Sequence, residues 1–363
     1  MTELPPIAEN YAVLPSLLRR YDRFARQMRF DGNGKADFLS WQVSARKQLA
    51  LLLGLDRMER CSLRPRMTEE CILQDGIRRE HWLLETEPGV TMPFYLLIPP
   101  DAGSDTRPFL CPPGHGGAGK YSVAGLREYT AVSEKIDFYN YDYGMQLARC
   151  GYVALCPDCR GFGERREELS DTRELPGALT GDCIRLARMG EPLGIPVLGM
   201  LVWDLMRAAD FLAQHREWAY TEVSSLGFSG GAMQTLFLSA LDERISLAVV
   251  SGYFYGYRDS LLRQSWNCSC NYVPHLWEYF DMGDIASLIA PRPLLIQTCR
   301  DDRQNGPRGI KNVLEQIKIL REAYRLLDAE HHLIHEVYDG RHRWHGEHLR
   351  ENLFALTNET WMG

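Results

Sequence analysis

From Val223 to Leu241 the chain reads as a short apolar strand, a turn of small residues and then a helix. Gly227-Phe228-Ser229-Gly230-Gly231 lies at the turn and fits the pattern G-x-S-x-G, with one glycine more than it requires. A serine projected from a tight strand-to-helix turn forces its neighbours into close backbone contact, where a Cβ would clash. The same place sets it before the free N–H groups of a helix N-terminus, whose positive potential favours a developing oxyanion. As a bare pattern G-x-S-x-G occurs by chance. Its strand–turn–helix setting makes Ser229 a candidate nucleophile.

The rest of the chain supplies the frame such a turn needs. Residues 14–28 place Leu14, Leu17, Leu18, Tyr21, Phe24, Ala25 and Met28 on one helical face, and Asp31-Gly32-Asn33-Gly34 breaks that helix. A second helix runs from about Phe38 to Leu53 and stops at Gly54. These two helices form an N-terminal extension over residues 1–60, read as a strut on the main domain, with a dimer contact as the alternative. From about Cys71 to Pro99 the hydrophobic period becomes two, and Glu87-Pro-Gly sits between antiparallel opening strands.

Strands and helices then alternate. Strands are expected at Phe109, Tyr152, Val223, Leu247, Pro293 and Leu333, and helices at Tyr143–Cys150, Met200–Leu212, Asn312–Leu327 and after Gly346. Such alternation predicts an α/β domain over residues 61–363, with a mostly parallel central sheet and helices on both faces. Two stretches interrupt it. Glu164 to Val197 is a long connection with several Gly and Pro, and Gly252 to Asp284 is rich in Tyr, Trp and Phe. Insertions at the C-terminal edge of a parallel sheet are where such folds build binding sites. For most of these aromatics, packing of the insert onto itself is at least as good a reading.

A serine hydroxyl needs a base, and the base needs an orienting carboxylate. In a fold of this kind the order is Ser, acid, His. Asp301 and Asp302 follow the Pro293 strand, and His342 and His345 follow the Leu333 strand. An oxyanion hole takes two backbone donors. One is the N–H of Gly230, and the other should come from Pro112-Pro113-Gly114-His115-Gly116-Gly117.

Together these residues resemble the alpha/beta hydrolase superfamily, and within it the dienelactone hydrolase-like and acetyl xylan esterase-like group. The matching pieces are Met92-Pro-Phe-Tyr-Leu-Leu-Ile-Pro, Pro113-Gly-His-Gly-Gly, Gly151-Tyr-Val-Ala, Asp158-Cys-Arg-Gly-Phe-Gly-Glu-Arg, Trp203-Asp-Leu-Met-Arg-Ala-Ala-Asp, the serine turn, Leu241-Asp-Glu-Arg-Ile and Ala290-Pro-Arg-Pro-Leu-Leu. They span about residues 70–360. The resemblance implies an alpha/beta hydrolase fold and a serine esterase without metal or cofactor, with Ser229 as nucleophile, Asp302 as acid and His342 as base. Arg341 stands where relatives carry a glycine beside the base. Pro113-Gly114 replaces a frequent His-Gly, which leaves His115 or Gly116 as the second oxyanion donor.

Other chemistries have weaker signals in the sequence. The net charge of −7 argues against a nucleic-acid surface, and no apolar run reaches membrane-spanning length. Ten cysteines without framework spacing, and an N-terminus without a secretory pattern, point to a soluble cytoplasmic protein with reduced thiols. His342, His345 and His348 could share a helix face for zinc, but no H-E-x-x-H signature accompanies them. Cys156-Pro-Asp-Cys159 imitates a redox motif at a strand end, and Cys268-Ser-Cys270 near His275 is a weak metal signal. Arg160 and Arg165 could meet an anionic substrate, although loop arginines more often pair with nearby acids. The expected partner is a small-molecule ester. The alternatives are a peptidase or amidase of the same fold, or a non-catalytic binding protein on the same scaffold.

Overall fold

The computed structural model describes residues 11–104, 106–167, 179, 181–214 and 222–357. Among these residues, nine strands form one sheet in the order β1-β2-β3-β5-β4-β6-β7-β8-β9. They are β1 (Arg66–Ile72), β2 (Arg78–Glu87), β3 (Val90–Ile98), β4 (Pro108–Leu110), β5 (Val153–Pro157), β6 (Val223–Phe228), β7 (Ile245–Ser251), β8 (Leu294–Cys299) and β9 (Leu333–Tyr338). The first three pair antiparallel with one another and β3 pairs antiparallel with β5; from β5 to β9 all pairing is parallel.

Each central strand feeds two cores because successive side chains point to opposite faces. Leu96, Leu110, Leu155, Val250 and Ile296 enter one apolar layer. Their neighbours Leu97, Phe109, Ala154, Val249 and Leu295 enter the other. This is the two-sided burial expected of a parallel sheet covered by helices. Helices Val197–Gln214, Gly230–Leu241 and Ile310–Leu326 cover the first face. Helices Thr130–Tyr139, Tyr143–Arg149 and Leu349–Thr357 cover the second. At the edge, β1 is exposed along its whole length and carries Arg66, Glu69 and Glu70, charges that discourage pairing with another chain.

Two features depart from the expected elements. Helices Lys120–Val123 and Thr130–Tyr139 fill the connection after β4, where no helix was expected. The first helix ends at Phe24, so Ala25 and Met28 do not extend its face. Its continuation instead pairs backbone with the aromatic insert: Arg26, Gln27 and Met28 N–H groups donate to the carbonyls of Trp277, Glu278 and Tyr279 at 3.3, 2.8 and 3.0 Å. Tertiary pairing here overrides helical periodicity. No residue of that first helix is buried, whereas Phe38, Gln42, Ala45 and Leu49 of the second helix are. Part of the Glu164–Val197 connection lies outside the described residues. Among the described residues no helix is long and apolar enough to cross a membrane.

Candidate active site

Ser229 stands between the end of β6 and the first residue of helix Gly230–Leu241, with φ 57° and ψ −121°. A non-glycine residue in this region costs roughly 1–3 kcal/mol, and such strain persists only where the surroundings fix it. Two contacts do so. The Ser229 N–H donates to the Ser251 carbonyl of β7 at 2.9 Å. Gly227 and Gly231 also come so close that a Cβ on Gly227 would lie 2.2 Å from the Gly231 carbonyl carbon. A side chain at Gly231 would strike the Pro112 carbonyl oxygen at 2.1 Å, so the turn and the loop after β4 require each other.

The two aspartates after β8 diverge. Asp302 is buried, its Oδ1 accepting from the Gln304 N–H at 2.9 Å and its Oδ2 from His342 Nδ1 at 2.5 Å. Asp301 is exposed and its N–H donates to the Gly340 carbonyl at 2.9 Å, which ties the β8 loop to the β9 loop. The two histidines diverge as well. The His342 ring lies 4.5 Å from that of Phe228, the residue before the serine. The His345 ring stacks on Tyr338 at 4.0 Å and its carbonyl accepts from Gln297 Nε2 at 2.7 Å. His342, His345 and His348 therefore share no helix face; the helix begins only at Leu349.

Two residues near the histidine escaped the sequence. Gln304 Nε2 is 3.2 Å from His342 Nε2, and its Oε1 accepts from the Tyr255 hydroxyl at 3.2 Å. With Nδ1–H given to Asp302, the Gln304 amide is the donor to the Nε2 lone pair. Trp344 is fully buried, its Nε1–H donates to Gln146 Oε1 at 2.9 Å and its backbone N–H to the Tyr139 carbonyl at 3.0 Å. A tryptophan two residues beyond His342 was the available signal for an anchor of this loop.

The loop after β4 is held from below by side chains. Tyr143 O–H donates to the Pro112 carbonyl at 2.5 Å, Gln234 Nε2 to that of Pro113 at 2.9 Å, and Tyr141 O–H to that of His115 at 3.0 Å. At its far end Lys120 and Asp158, both without exposed surface, form a salt bridge of 2.7 Å. Asp158 also accepts from the backbone N–H of Lys120 at 2.8 Å and of Glu164 at 2.9 Å, and Lys120 Nζ reaches Glu164 as well. Arg160 and Arg165 are taken up by Asp204, at 2.9 and 2.5 Å. Anion binding by these arginines loses ground to that pairing.

Ser229, Gly230, His115 and His342 line one cavity of about 380 Å³, with Tyr253 and Trp266 of the insert on its wall. Phe254, Tyr255, Tyr257 and Phe280 of the insert are buried in the apolar layer on the first face of the sheet. Gly116, beside His115, has φ 79°. Of the cysteine motifs, Cys156 and Cys159 belong to opposite core layers, and Cys159 Sγ contacts Gln234 Oε1 at 2.8 Å. Burial pushes the Cys159 thiol well above its ordinary range, the opposite of a reactive thiolate. His275 pairs with Glu278 and does not join Cys268 and Cys270; His115 and Cys183 stand beside those two instead.

A sequence model of the abhydrolase family matches residues 11–356. The chain belongs to that family. A Bacillus subtilis protein named as a hydrolase, YtaP, is 26% identical over 286 residues, covering 76% of this chain and 86% of its own. The fold is similar to that of a Bacteroides fragilis protein described as an acetyl xylan esterase, with a TM-score of 0.73 at 18% identity, over 92% of this chain and 84% of that one. It is also similar to a glucuronoyl esterase from Solibacter usitatus, with a TM-score of 0.62 at 13% identity, over 92% and 95% of the two chains. At such identities these structures speak for the fold of the abhydrolase chain.

Proposed function

We propose that this abhydrolase is a serine esterase that cleaves short-acyl carboxylic esters through an acyl-enzyme. The observation that carries the reading is the meeting of a strained Ser229 and the Asp302-paired His342 around one cavity. Asp302 accepts the Nδ1 proton and so keeps the Nε2 lone pair toward the serine side. His342 takes the hydroxyl proton as Ser229 attacks the ester carbonyl, then gives it to the departing alcohol. The same base then activates water to free the acid. In both steps the Gln304 amide must first leave Nε2, which its contact with Tyr255 allows it to do without losing both partners.

The oxyanion is assigned to the Gly230 N–H together with a donor from His115 or Gly116. The names of the similar esterases support an ester substrate, and the modest cavity supports a small acyl group. All ten cysteines are free thiols, which supports a reducing, cytoplasmic setting. Hydrolysis of acetyl esters and of the matching acetyl amides, measured side by side on the purified chain, tests the reading. Ester turnover should dominate; faster amide turnover would overturn it in favour of an amidase.

A further inference from the structure

Three thiols and one imidazole converge at the edge of the cavity. The Sγ atoms of Cys183, Cys268 and Cys270 and a ring nitrogen of His115 all lie within 4.8 Å of one another. The nitrogen is Nε2, which is 3.3 Å from Cys270 Sγ and 3.8 Å from Cys183 Sγ. A tetrahedral zinc with Zn–S of about 2.3 Å and Zn–N of about 2.0–2.1 Å places its ligand atoms roughly 3.5–3.8 Å apart. The cluster already has close to that spacing. A disulfide between two of the sulfurs would instead need about 2.0 Å, and it would strand the third thiol beside the imidazole. All three cysteines are free, and Cys183 and Cys270 are buried.

We propose that His115, Cys183, Cys268 and Cys270 form a structural Zn²⁺ site. Three cysteines and one histidine complete a tetrahedron with no open position, the composition of a structural rather than a catalytic site. Binding one Zn²⁺ displaces the three thiol protons and leaves the imidazole neutral. A supporting shell is in place. Asn271 Nδ2 lies 3.6 Å from Cys270 Sγ and also donates to the Cys268 carbonyl at 3.0 Å. Its Oδ1 accepts from the buried Tyr253 hydroxyl at 2.9 Å. An N–H aimed at a sulfur favours the thiolate a metal requires.

The ligands come from three separate segments. His115 is in the loop after β4, Cys183 opens helix Cys183–Gly190, and in the aromatic insert Cys268 precedes the short 3-10 turn Ser269–Asn271 that contains Cys270. The metal would staple the insert to the loop that faces the nucleophile. It would also fix a tautomer, because a ring bound through Nε2 carries its proton on Nδ1. That nitrogen faces Gly230: a Cβ there would lie 2.6 Å from His115 Nδ1. The staple therefore holds an N–H beside the residue after Ser229.

Metal content is read without reference to turnover, so the site stands or falls apart from the esterase reading. The full chain is purified under reducing conditions without chelator, incubated with Zn²⁺, desalted and assayed by mass spectrometry of its elements. About one zinc per chain is expected, and about a tenfold loss in the Cys183→Ser/Cys270→Ser double variant. Cys71→Ser, at an exposed thiol in β1, should retain the metal. Should the double variant fail to fold, the wild-type protein loaded with Co²⁺ decides. Sulfur-to-cobalt charge-transfer absorption and strong visible bands of a tetrahedral site are expected. Less than about a tenth of an equivalent of zinc on the folded wild-type chain would overturn the proposal. So would cobalt without thiolate absorption, a double variant that retains its zinc, or a disulfide among the three cysteines.

Discussion

Two walls face each other across Ser229, and they are built in different ways. One consists of the short loops after β8 and β9, where Asp302 and His342 follow their strands within a few residues and meet at 2.5 Å. The other consists of the loop after β4, the Asp158–Glu164 turn and the aromatic insert, three segments joined to one another by side-chain contacts. Parallel strands deliver residues to one edge of the sheet almost automatically, so the first wall needs little besides strand order. The second wall also starts from strand ends, those of β4, β5 and β7, but its segments run further from the sheet and are clasped by side chains: Lys120 to Asp158, Tyr253 to Asn271, and the cluster around His115. Damage to the first wall should therefore appear in rate, and damage to the second in stability and shape.

The largest effect is expected where the walls meet. Ser229→Ala should lower ester turnover by about a million-fold while leaving the fold intact, as judged by circular dichroism and thermal unfolding. A variant that kept a few per cent of wild-type turnover would remove Ser229 from the chemistry.

On the first wall, Asp302→Asn should lower kcat by about ten-thousand-fold, because an amide there would favour the wrong imidazole tautomer. Asp301→Asn should stay near wild type, since its side chain is exposed and it is Asp302 that bonds His342 Nδ1. Equal losses in the two variants would mean that the loop, not the carboxylate, was being perturbed. His342→Ala should likewise abolish the burst of acyl-enzyme, whereas His345→Ala, whose ring packs on Tyr338, should keep it. A rapid-quench burst present in the first and missing in the second would reverse the two roles.

On the second wall, Asp158→Ala should destabilise the protein by about 3–5 kcal/mol, because it leaves the buried Lys120 ammonium with only the half-exposed Glu164. Denaturant unfolding reads this directly. A loss below about 1 kcal/mol would mean that Glu164 alone can satisfy Lys120, and the clasp would matter little.

The same contrast explains what could be read from the residues. The alternation of strands and helices was legible because the central strands bury both faces and so read as short apolar runs between helical patterns. The serine turn was legible because its glycines are adjacent in sequence. The end of the first helix is not legible, since nothing local reveals that Arg26 to Met28 will pair with Trp277 to Tyr279. Gln304 and Trp344 are not legible, because a glutamine or tryptophan in a loop has no local signature of its partner. The convergence on His115 was invisible for a stronger reason. Its contact with Cys270 spans 155 positions, and C-x-C offered His275 as a nearer but unrelated histidine.

The most direct test of the central claim is covalent. The purified chain is treated with a fluorophosphonate, weighed intact, and then digested to locate the label. Nucleophilic attack by an activated serine predicts a single phosphonyl group on Ser229, absent from Ser229→Ala and formed far more slowly in His342→Ala. Label on another residue, or equal labelling of Ser229→Ala, would contradict the account.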